Sequence, residues 1–242
     1  MFFFHLTTSI LLHILYTHRY GQPLGPVQGV GYINELLARL TELPVQDNTQ
    51  TNQTLDSSPI TFPLNHTVYA DFSHDNQMIA IYSALGLFKQ PVPLDPTTPD
   101  PGRTWITSHL TPFSGRMVAE RLSCYIPKNR KARMVEADSN VYVRILVDDA
   151  LQPLKFCGAN EDGLCKLDAF VESQGYARNN GEGDFEKCYA WRGGTVTSEG
   201  ISGIFWHFFV EGCDSKLSGL YINPSQLGWL SRNIKVWTLE SL

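Results

Sequence analysis

The stretch Tyr69-Ala-Asp-Phe-Ser-His-Asp-Asn76 decides the fold prediction, because it joins a strand to a helix. Residues 67–72 alternate in polarity and include Val, Tyr and Phe, which predicts a β-strand. The apolar run Ile79–Leu87 that follows predicts a helix. His74 and Asp75 therefore lie at a helix N-terminus, where backbone N–H groups and the helix dipole favour an anion. The stretch predicts a place where a phosphate group can be held and given a proton.

The composition limits the class of protein. A chain of 242 residues is long enough for one sizeable domain or two small ones, and 43% hydrophobic with 18% charged residues is typical of a globular protein. The formal net charge of -5 argues against nucleic acid as the main partner. The basic cluster at residues 128–133 is short and isolated, so we interpret it as a solvated loop rather than an anion-binding or localisation patch.

The cysteine pattern favours a disulfide over a metal site. The five cysteines are Cys124, Cys157, Cys165, Cys188 and Cys213. They form no CxxC pair and have no histidine at metal-ligand spacing, so we predict no metal site. Cys157 and Cys165 bracket a short polar loop, a spacing that suits a local disulfide worth about 2–3 kcal/mol. An odd number of cysteines leaves at least one thiol without a partner in an oxidising compartment.

Two glycosylation sequons bear on localisation. Asn52-Gln-Thr54 and Asn65-His-Thr67 are weak signals alone, but together with the cysteines they favour a secreted glycoprotein. Met1–Tyr16 is apolar but too short for a transmembrane span, and we predict no membrane partner. The segment 1–19 also lacks early Lys or Arg and a small-x-small cleavage site. It is therefore a weak signal-peptide candidate, and the alternative is sequence foreign to the domain.

Periodicity places the other elements. Tyr32–Leu40 carries apolar residues at helical spacing and predicts an amphipathic helix that stops before Pro44. Val141–Val147 predicts a strand, and Asp148-Asp149 turns it into a second strand over Leu151–Phe156. Residues 117–125 fit a helix or a strand. Residues 45–64 and 89–103 predict polar loops, and a short helix opens at Asp168–Gly175.

These segments, taken in order, resemble the histidine acid phosphatases, and fungal phytases in particular. The segments that carry the resemblance are Gln28–Gly31, Asn34–Leu40, Pro44–Asp47, Thr61–Asn65, Tyr69–Asn76, Val141–Cys157, Gly163–Lys166, Asp168–Val171 and Cys188–Ala190. The resemblance covers about residues 20–190 and corresponds to the C-terminal part of the family's domain. It leaves 1–19 and the tail 191–242 unmatched. It implies an α/β fold, here a fragment of the α/β domain of the phosphoglycerate-mutase-like fold, and a strand at 117–125.

The resemblance also implies roles for the residues at the predicted helix start. Asp75 would be the proton donor, His74 would bind the phosphoryl group in the transition state, and Asn76 would contact substrate. The expected activity is hydrolysis of phosphate monoesters such as phytate at acid pH by a secreted, monomeric enzyme without a cofactor. The family's cysteine pattern implies the Cys157–Cys165 disulfide as well. The counterparts of Cys124 and Cys188 pair with cysteines that this sequence does not have.

The family's other motif, Arg-His-Gly-x-Arg-x-Pro, is absent from the sequence. That motif supplies the nucleophilic histidine, and His18-Arg-Tyr-Gly21 has the wrong order. We therefore expect the chain alone to be inactive, and the alternative function is an inositol-phosphate-binding remnant or an inactive truncated product. A third interpretation makes 191–242 an aromatic-rich carbohydrate-binding module. Without the missing strands, the apolar faces of Ile33–Leu40 and of the predicted strands are expected to be exposed.

Overall fold

The fold is α/β. A computed structural model describes residues 24–92, 94, 98, 100–124, 140–190 and 234–241, and the account that follows is confined to them. The helices are α1 (Val30–Thr41), α2 (Gln53–Asp56), α3 (Asp75–Leu85), α4 (Thr107–Leu110), α5 (Leu167–Ser173), α6 (Gly175–Arg178) and α7 (Asp184–Ala190), with 3-10 turns at Pro26–Gly29 and Lys155–Cys157. The strands are β1 (Val68–Ser73), β2 (Arg116–Cys124), β3 (Asn140–Val147), β4 (Ala150–Leu151), β5 (Cys165–Lys166) and β6 (Ile234–Ser241).

The six strands form one mixed sheet. Its order is β1-β6-β2-β3-β4, and β5 pairs with β3 on the side of that path. Strand β6 runs parallel to β1, with Val68 opposite Val236, and antiparallel to β2. The last described segment of the chain therefore lies between two strands that are far from it in sequence. This segment belongs to the tail that sequence analysis left unmatched, and the rest of that tail lies outside the described residues.

The apolar faces that we expected to be exposed are buried in the described structure. On α1, Ile33, Leu36 and Leu40 have no solvent exposure. Strand β3 buries alternate residues, ending with Ile145 and Val147, as a strand with one covered face does. These side chains form one cluster with the apolar residues of α3. The expectation was wrong because α1, α3 and the sheet cover one another.

The predicted helices and strands are present but differ at their ends, and the loop predicted at 45–64 contains the short helix α2, which Asn52 caps. Residues 116–124 form strand β2, as the resemblance indicated, and the helical alternative is wrong. Helix α3 begins at Asp75 rather than at Ile79, and it ends at Leu85 because Gly86 adopts a left-handed cap with φ of 86°. The hairpin after β3 is confirmed, but its second strand is only Ala150–Leu151. A 3-10 turn at Lys155–Cys157 replaces the rest of that predicted strand.

The predicted disulfide between Cys157 and Cys165 is present. Its Cα atoms are 6.1 Å apart, and it closes the loop between the 3-10 turn and β5. The basic cluster 128–133, the segment 1–19 and Cys213 lie outside the described residues. Among the helices of the described ranges, none combines the length and the apolar character needed to cross a membrane.

Candidate active site

The junction between β1 and α3 forms the candidate site. Ser73 ends the strand, and His74 keeps an extended backbone, with φ of -115° and ψ of 160°. The carbonyl oxygen of His74 accepts the first hydrogen bond of the helix, from the N–H of Met78 at 3.0 Å. Asp75 is the first helical residue. The predicted change from strand to helix therefore takes place within the His-Asp pair.

Both chemically active side chains of the junction face solvent. His74 and Asp75 are exposed, and the side chain of His74 makes no cap hydrogen bond. The N–H of Asn76 donates to Oδ1 of Asp75 at 2.8 Å, which orients the carboxyl group at the first turn. A carboxylate in the first turn is also favoured by the helix dipole. A ligand that approaches the helix N-terminus meets an imidazole and a carboxyl group together.

Two contacts fix the first half of α3. The hydroxyl of Ser73 donates to Oε1 of Gln77 at 3.1 Å, which ties the end of the strand to the first helical turn. Gly29 in the 3-10 turn lies against the middle of the helix, where an added Cβ would come within 2.6 Å of the carbonyl oxygen of Ala80. Only glycine allows the two backbones to approach so closely. The helix start is thus held from both the strand and the 3-10 turn.

A buried ion pair anchors β1 behind the site. Nη1 of Arg39 lies 2.5 Å from Oδ2 of Asp71, and Nη2 lies 3.3 Å from Oδ1, so the pair is bidentate. The hydroxyl of Tyr32 donates to the same Oδ2 atom at 3.4 Å. The guanidinium group of Arg39 also lies over the rings of Phe62 and Tyr69, at 4.8 and 5.1 Å from their centroids. The ion pair joins α1 to the strand two residues before Ser73.

Burial shifts the ionisation of this cluster. Burial acts to lower the pKa of Arg39, but the adjacent Asp71 carboxylate outweighs it and the pKa is raised, so the guanidinium stays charged. Glu35 lies one turn earlier on α1, and burial raises the pKa of its carboxyl group to about 8, although Arg39 acts in the opposite direction. Burial raises the pKa of Tyr32 well above its ordinary value, with Asp71 adding to the shift. The cluster therefore combines one ion pair with an acid that stays protonated at acid and neutral pH.

His66 does not supply a second histidine to the junction. His66 precedes β1 and stacks on Tyr69 at 5.9 Å. It is at the opposite end of a six-residue strand from His74, about 20 Å away at the usual rise per residue. Four of the described arginines pair with carboxylates: Arg39, Arg116, Arg121 and Arg144. No group of three His, Cys, Asp or Glu residues that could hold a metal ion occurs in the part of the chain that the structure describes.

The carboxyl end of β6 arrives beside the site. Ser241 is in register with Ser73, because β6 and β1 run parallel. Carboxyl ends of neighbouring parallel strands form one edge of a sheet, which is where ligands bind in open α/β folds. This strand is not predicted from the sequence, because its partner residues in β1 are more than 160 positions away in the chain.

The mixed sheet and the exposed His-Asp pair at a helix start define an α/β protein with a candidate site at the junction of β1 and α3. The family model of the histidine phosphatase superfamily, branch 2, matches residues 5–148, and the chain belongs to this family. The resemblance found from the sequence is thereby confirmed.

Within this family, the chain is similar to fungal proteins that carry one name. The chain is 44% identical over 178 residues to a protein named Phytase A from Aspergillus awamori, covering 72% of this chain and 35% of the relative. It is 43% identical over 173 residues to Phytase A of Aspergillus oryzae, covering 70% and 34%. It is 42% identical over 193 residues to Phytase A of Neurospora crassa, covering 70% and 37%. The chain thus spans about a third of the length of the curated relatives that it matches.

Proposed function

We propose that this chain carries the proton-donor part of a phosphoric monoester hydrolase of phytase type, which acts on inositol phosphates such as phytate at acid pH. The observation that carries the proposal is the exposed His74-Asp75 pair at the start of α3, in a chain whose relatives are named Phytase A. Helix N-termini attract phosphate groups through their N–H groups and dipole, which supports this site over other parts of the described surface.

Each residue of the junction has a proposed step. His74 donates a hydrogen bond to a phosphoryl oxygen and stabilises the negative charge that develops there. Asp75, as the carboxylic acid, passes its proton to the alkoxide oxygen of the leaving group while the bond from that oxygen to phosphorus breaks and the phosphoryl group passes to the nucleophilic histidine of the motif that this sequence lacks. Asn76 contacts the substrate from the same helical turn. Proton donation requires the protonated form of the carboxyl group.

The chain alone is proposed to be inactive. The sequence lacks the Arg-His-Gly-x-Arg-x-Pro motif, and a phosphohistidine intermediate cannot form without its nucleophile. Catalytic residues that act as a unit lose their effect together when one is removed. The second candidate function is therefore binding of inositol phosphates without turnover. The imidazole of His74 favours this function, because it is exposed and makes no cap hydrogen bond to the helix.

Assays of phosphate release and of binding test both proposals. The full chain is incubated with inositol hexakisphosphate at acid pH, and we expect no release of phosphate above the background. Turnover that Asp75→Asn abolishes would overturn the proposed inactivity. Titration calorimetry with the same compound should show weaker binding for His74→Ala, which loses the hydrogen bond from the imidazole to the phosphoryl group. Asp75→Asn should bind at least as tightly as the wild type, because the amide has the shape of the carboxyl group and cannot carry a charge that repels phosphate.

Asp168→Asn provides the matched control for the titration. Asp168 is an exposed acid in the first turn of α5, so it repeats the position of Asp75 on a different helix. We expect this variant to bind like the wild type. Equal affinities for all four proteins, or no heat of binding at all, would rule out the binding function.

We also propose that the protein is secreted, monomeric and glycosylated at Asn52 and Asn65. Both asparagines are exposed, as acceptor sites must be. The Cys157–Cys165 disulfide is typical of secreted proteins. Mass spectrometry of the chain expressed through a fungal secretory pathway, together with its mass in solution, tests these three properties.

A further inference from the structure

A polar cavity lies apart from the His74–Asp75 junction. It has a volume of about 390 Å³ and is formed by the loop 44–57 and the end of α6. Residues 73–77, which form the candidate active site, do not line it. The cavity is thus a separate feature, and the proposed phosphatase chemistry does not use it.

Asp47 organises the loop that lines the cavity. This buried carboxylate accepts hydrogen bonds from Nδ2 of Asn34 at 2.7 Å, from the N–H of Thr49 at 2.9 Å and from the N–H of Thr51 at 3.2 Å. The side chain of Gln53 donates to the carbonyl oxygen of Asp47 at 3.2 Å. These bonds hold the loop in one shape, so the cavity is formed before any ligand arrives.

The lining side chains suit a neutral, polyhydroxylated ligand. They include the amides of Gln46, Asn48 and Gln53, the carboxyl group of Asp56 and the guanidinium group of Arg178. The lining contains no aromatic side chain on which a planar ligand would stack. It has one cation, Arg178, and two acids, Asp47 and Asp56, which disfavours a polyanion. Alternating donors and acceptors match the hydroxyl and amide groups of a sugar.

The carboxyl group of Asp56 has one oxygen without a hydrogen-bond donor of normal geometry in the protein. This oxygen, Oδ2, is buried. Burial raises the pKa of Asp56, and the nearby Thr51 side chain only partly opposes that shift. Asp56 also lines the cavity, so a ligand hydroxyl can donate to the part of its carboxyl group that faces the cavity.

The glycosylation sequon adjoins this cavity directly. Asn52 is exposed, and both of its neighbours, Thr51 and Gln53, line the cavity. Oδ1 of Asn52 caps α2 by accepting from the N–H groups of Thr54 and Leu55, at 3.2 and 3.3 Å. The cap leaves Nδ2, the atom that carries an N-linked glycan, outside these bonds. Glycosylation is therefore compatible with the folded loop.

We propose that the cavity holds the first sugars of an N-linked glycan attached to Asn52, which hydrogen-bond to Gln53, Asp56 and Arg178 and so tie the loop 44–57 to the end of α6. Attachment forms a bond between Nδ2 of Asn52 and the anomeric carbon of a lipid-linked glycosyl diphosphate. The amide loses a proton and the lipid diphosphate leaves. The inference rests on the proposed passage through a secretory compartment, but it does not depend on phosphatase activity.

Paired sequon variants test the proposal. Thr54→Ala removes the Asn52 sequon and keeps the Asn52 cap, and Thr67→Ala removes the Asn65 sequon, whose residues do not line the cavity. The full chain is produced in a glycosylating host, and hydrogen exchange is measured for the amides of residues 47–57. We expect exchange to be about tenfold faster in Thr54→Ala than in the wild type and unchanged in Thr67→Ala.

Enzymatic trimming provides a second route that needs no variant. Trimming the glycans of the folded wild type to one sugar should keep part of the protection, and complete removal should abolish it. Asp56→Ala should lose protection while the Asn52 glycan remains attached; alanine is used because asparagine at this position would create a new sequon with Ser57 and Ser58. Equal exchange in the two sequon variants would overturn the proposal, as would an unmodified Asn52 in the mass spectrum.

A free saccharide is the other source of the same chemistry. Diacetylchitobiose, the disaccharide at the base of N-linked glycans, is added to the Thr54→Ala protein. If this sugar slows exchange in the Thr54→Ala protein, while the glycan attached to the wild type does not slow it, the cavity binds a free saccharide and the proposal is overturned.

Discussion

Replacement of Glu35 by glutamine tests the buried charge cluster behind the candidate site. Glu35 lies on α1 one turn before Arg39 and faces a small cavity that Tyr32 and Gln77 also line. Arg39 acts to keep Glu35 ionised, but burial and the nearby Asp71, Asp56 and Asp47 carboxyl groups favour its neutral form. Glutamine has the same shape and cannot ionise, so the variant isolates the effect of the charge.

The sign and size of the effect follow from the pKa. The pKa of Glu35 rises from 4.5 to about 8 in the folded chain, so the folded state binds more protons than the unfolded state between these values. Stability is therefore complete below the unfolded pKa, falls as the pH rises, and becomes constant above the folded pKa. A difference of this size corresponds to at most about 5 kcal/mol over the window. Because Glu35 is only half-buried, solvent screening reduces the expected difference to about 2–3 kcal/mol.

Urea unfolding at a series of pH values measures this difference. Tryptophan fluorescence follows the transition, since Trp105 is buried in the core. We expect Glu35→Gln and the wild type to have similar free energies of unfolding near pH 4, and the variant to be more stable by about 2–3 kcal/mol near pH 9. Glu172→Gln, at an exposed position of α5, should follow the wild type. Parallel pH profiles for Glu35→Gln and the wild type would refute the reasoning.

Three further substitutions probe the contacts that hold the site. Arg39→Met should lower the free energy of unfolding by about 3–5 kcal/mol, because it leaves the Asp71 carboxylate buried and unpaired. The double variant with Asp71→Leu should recover part of this loss, which a double-mutant cycle of urea unfolding measures. Gly29→Ala should lower the free energy of unfolding by about 1–3 kcal/mol in the same assay, since its methyl group would lie 2.6 Å from a backbone oxygen of α3. An unchanged urea midpoint would mean that the 3-10 turn and α3 can move apart at little cost. Cys157→Ser, which opens the Cys165 disulfide, should lower the free energy of unfolding by about 2–3 kcal/mol, and the reduced wild type should match it.

Local pattern was sufficient for the elements around the candidate site. The period of apolar residues located α1, and the alternation in residues 67–72 located β1. The turn from β3 was predicted from Asp148-Asp149, and both residues have the positive φ that a two-residue hairpin turn requires. Each of these features depends on residues that are neighbours in the chain. They can therefore be recognised without knowledge of the contacts.

The ends of elements were predicted less well, for physical reasons. The second strand of the hairpin stops at Leu151, and Pro153, which has no N–H group to donate, follows two residues later. Helix α3 starts four residues before the first apolar residue of the predicted run, because polar residues of a first turn fit a helix when their side chains face solvent. Apolar periodicity does not register such residues.

Some residues of the candidate site were predicted from the sequence, and others were not. The His74-Asp75 pair was found from the sequence, since a strand followed by a helix puts neighbouring residues at the helix start. The Arg39–Asp71 pair was not found, because its members are 32 residues apart and a lone Arg and a lone Asp carry no signal. The unusual pKa of Glu35 was hidden for the same reason: it follows from burial and from charges on other elements.

The sequence by itself determined the family, the helix start that carries His74 and Asp75, and the Cys157–Cys165 disulfide. Local spacing and the order of similar segments are sufficient for these. Only the tertiary structure decided that β6 enters the sheet beside β1, that Glu35 is enclosed with buried charges, and that the loop 44–57 and α6 form a polar cavity. These three features depend on which distant segments pack together, and that is set by the burial of whole faces rather than by the pattern within any one of them.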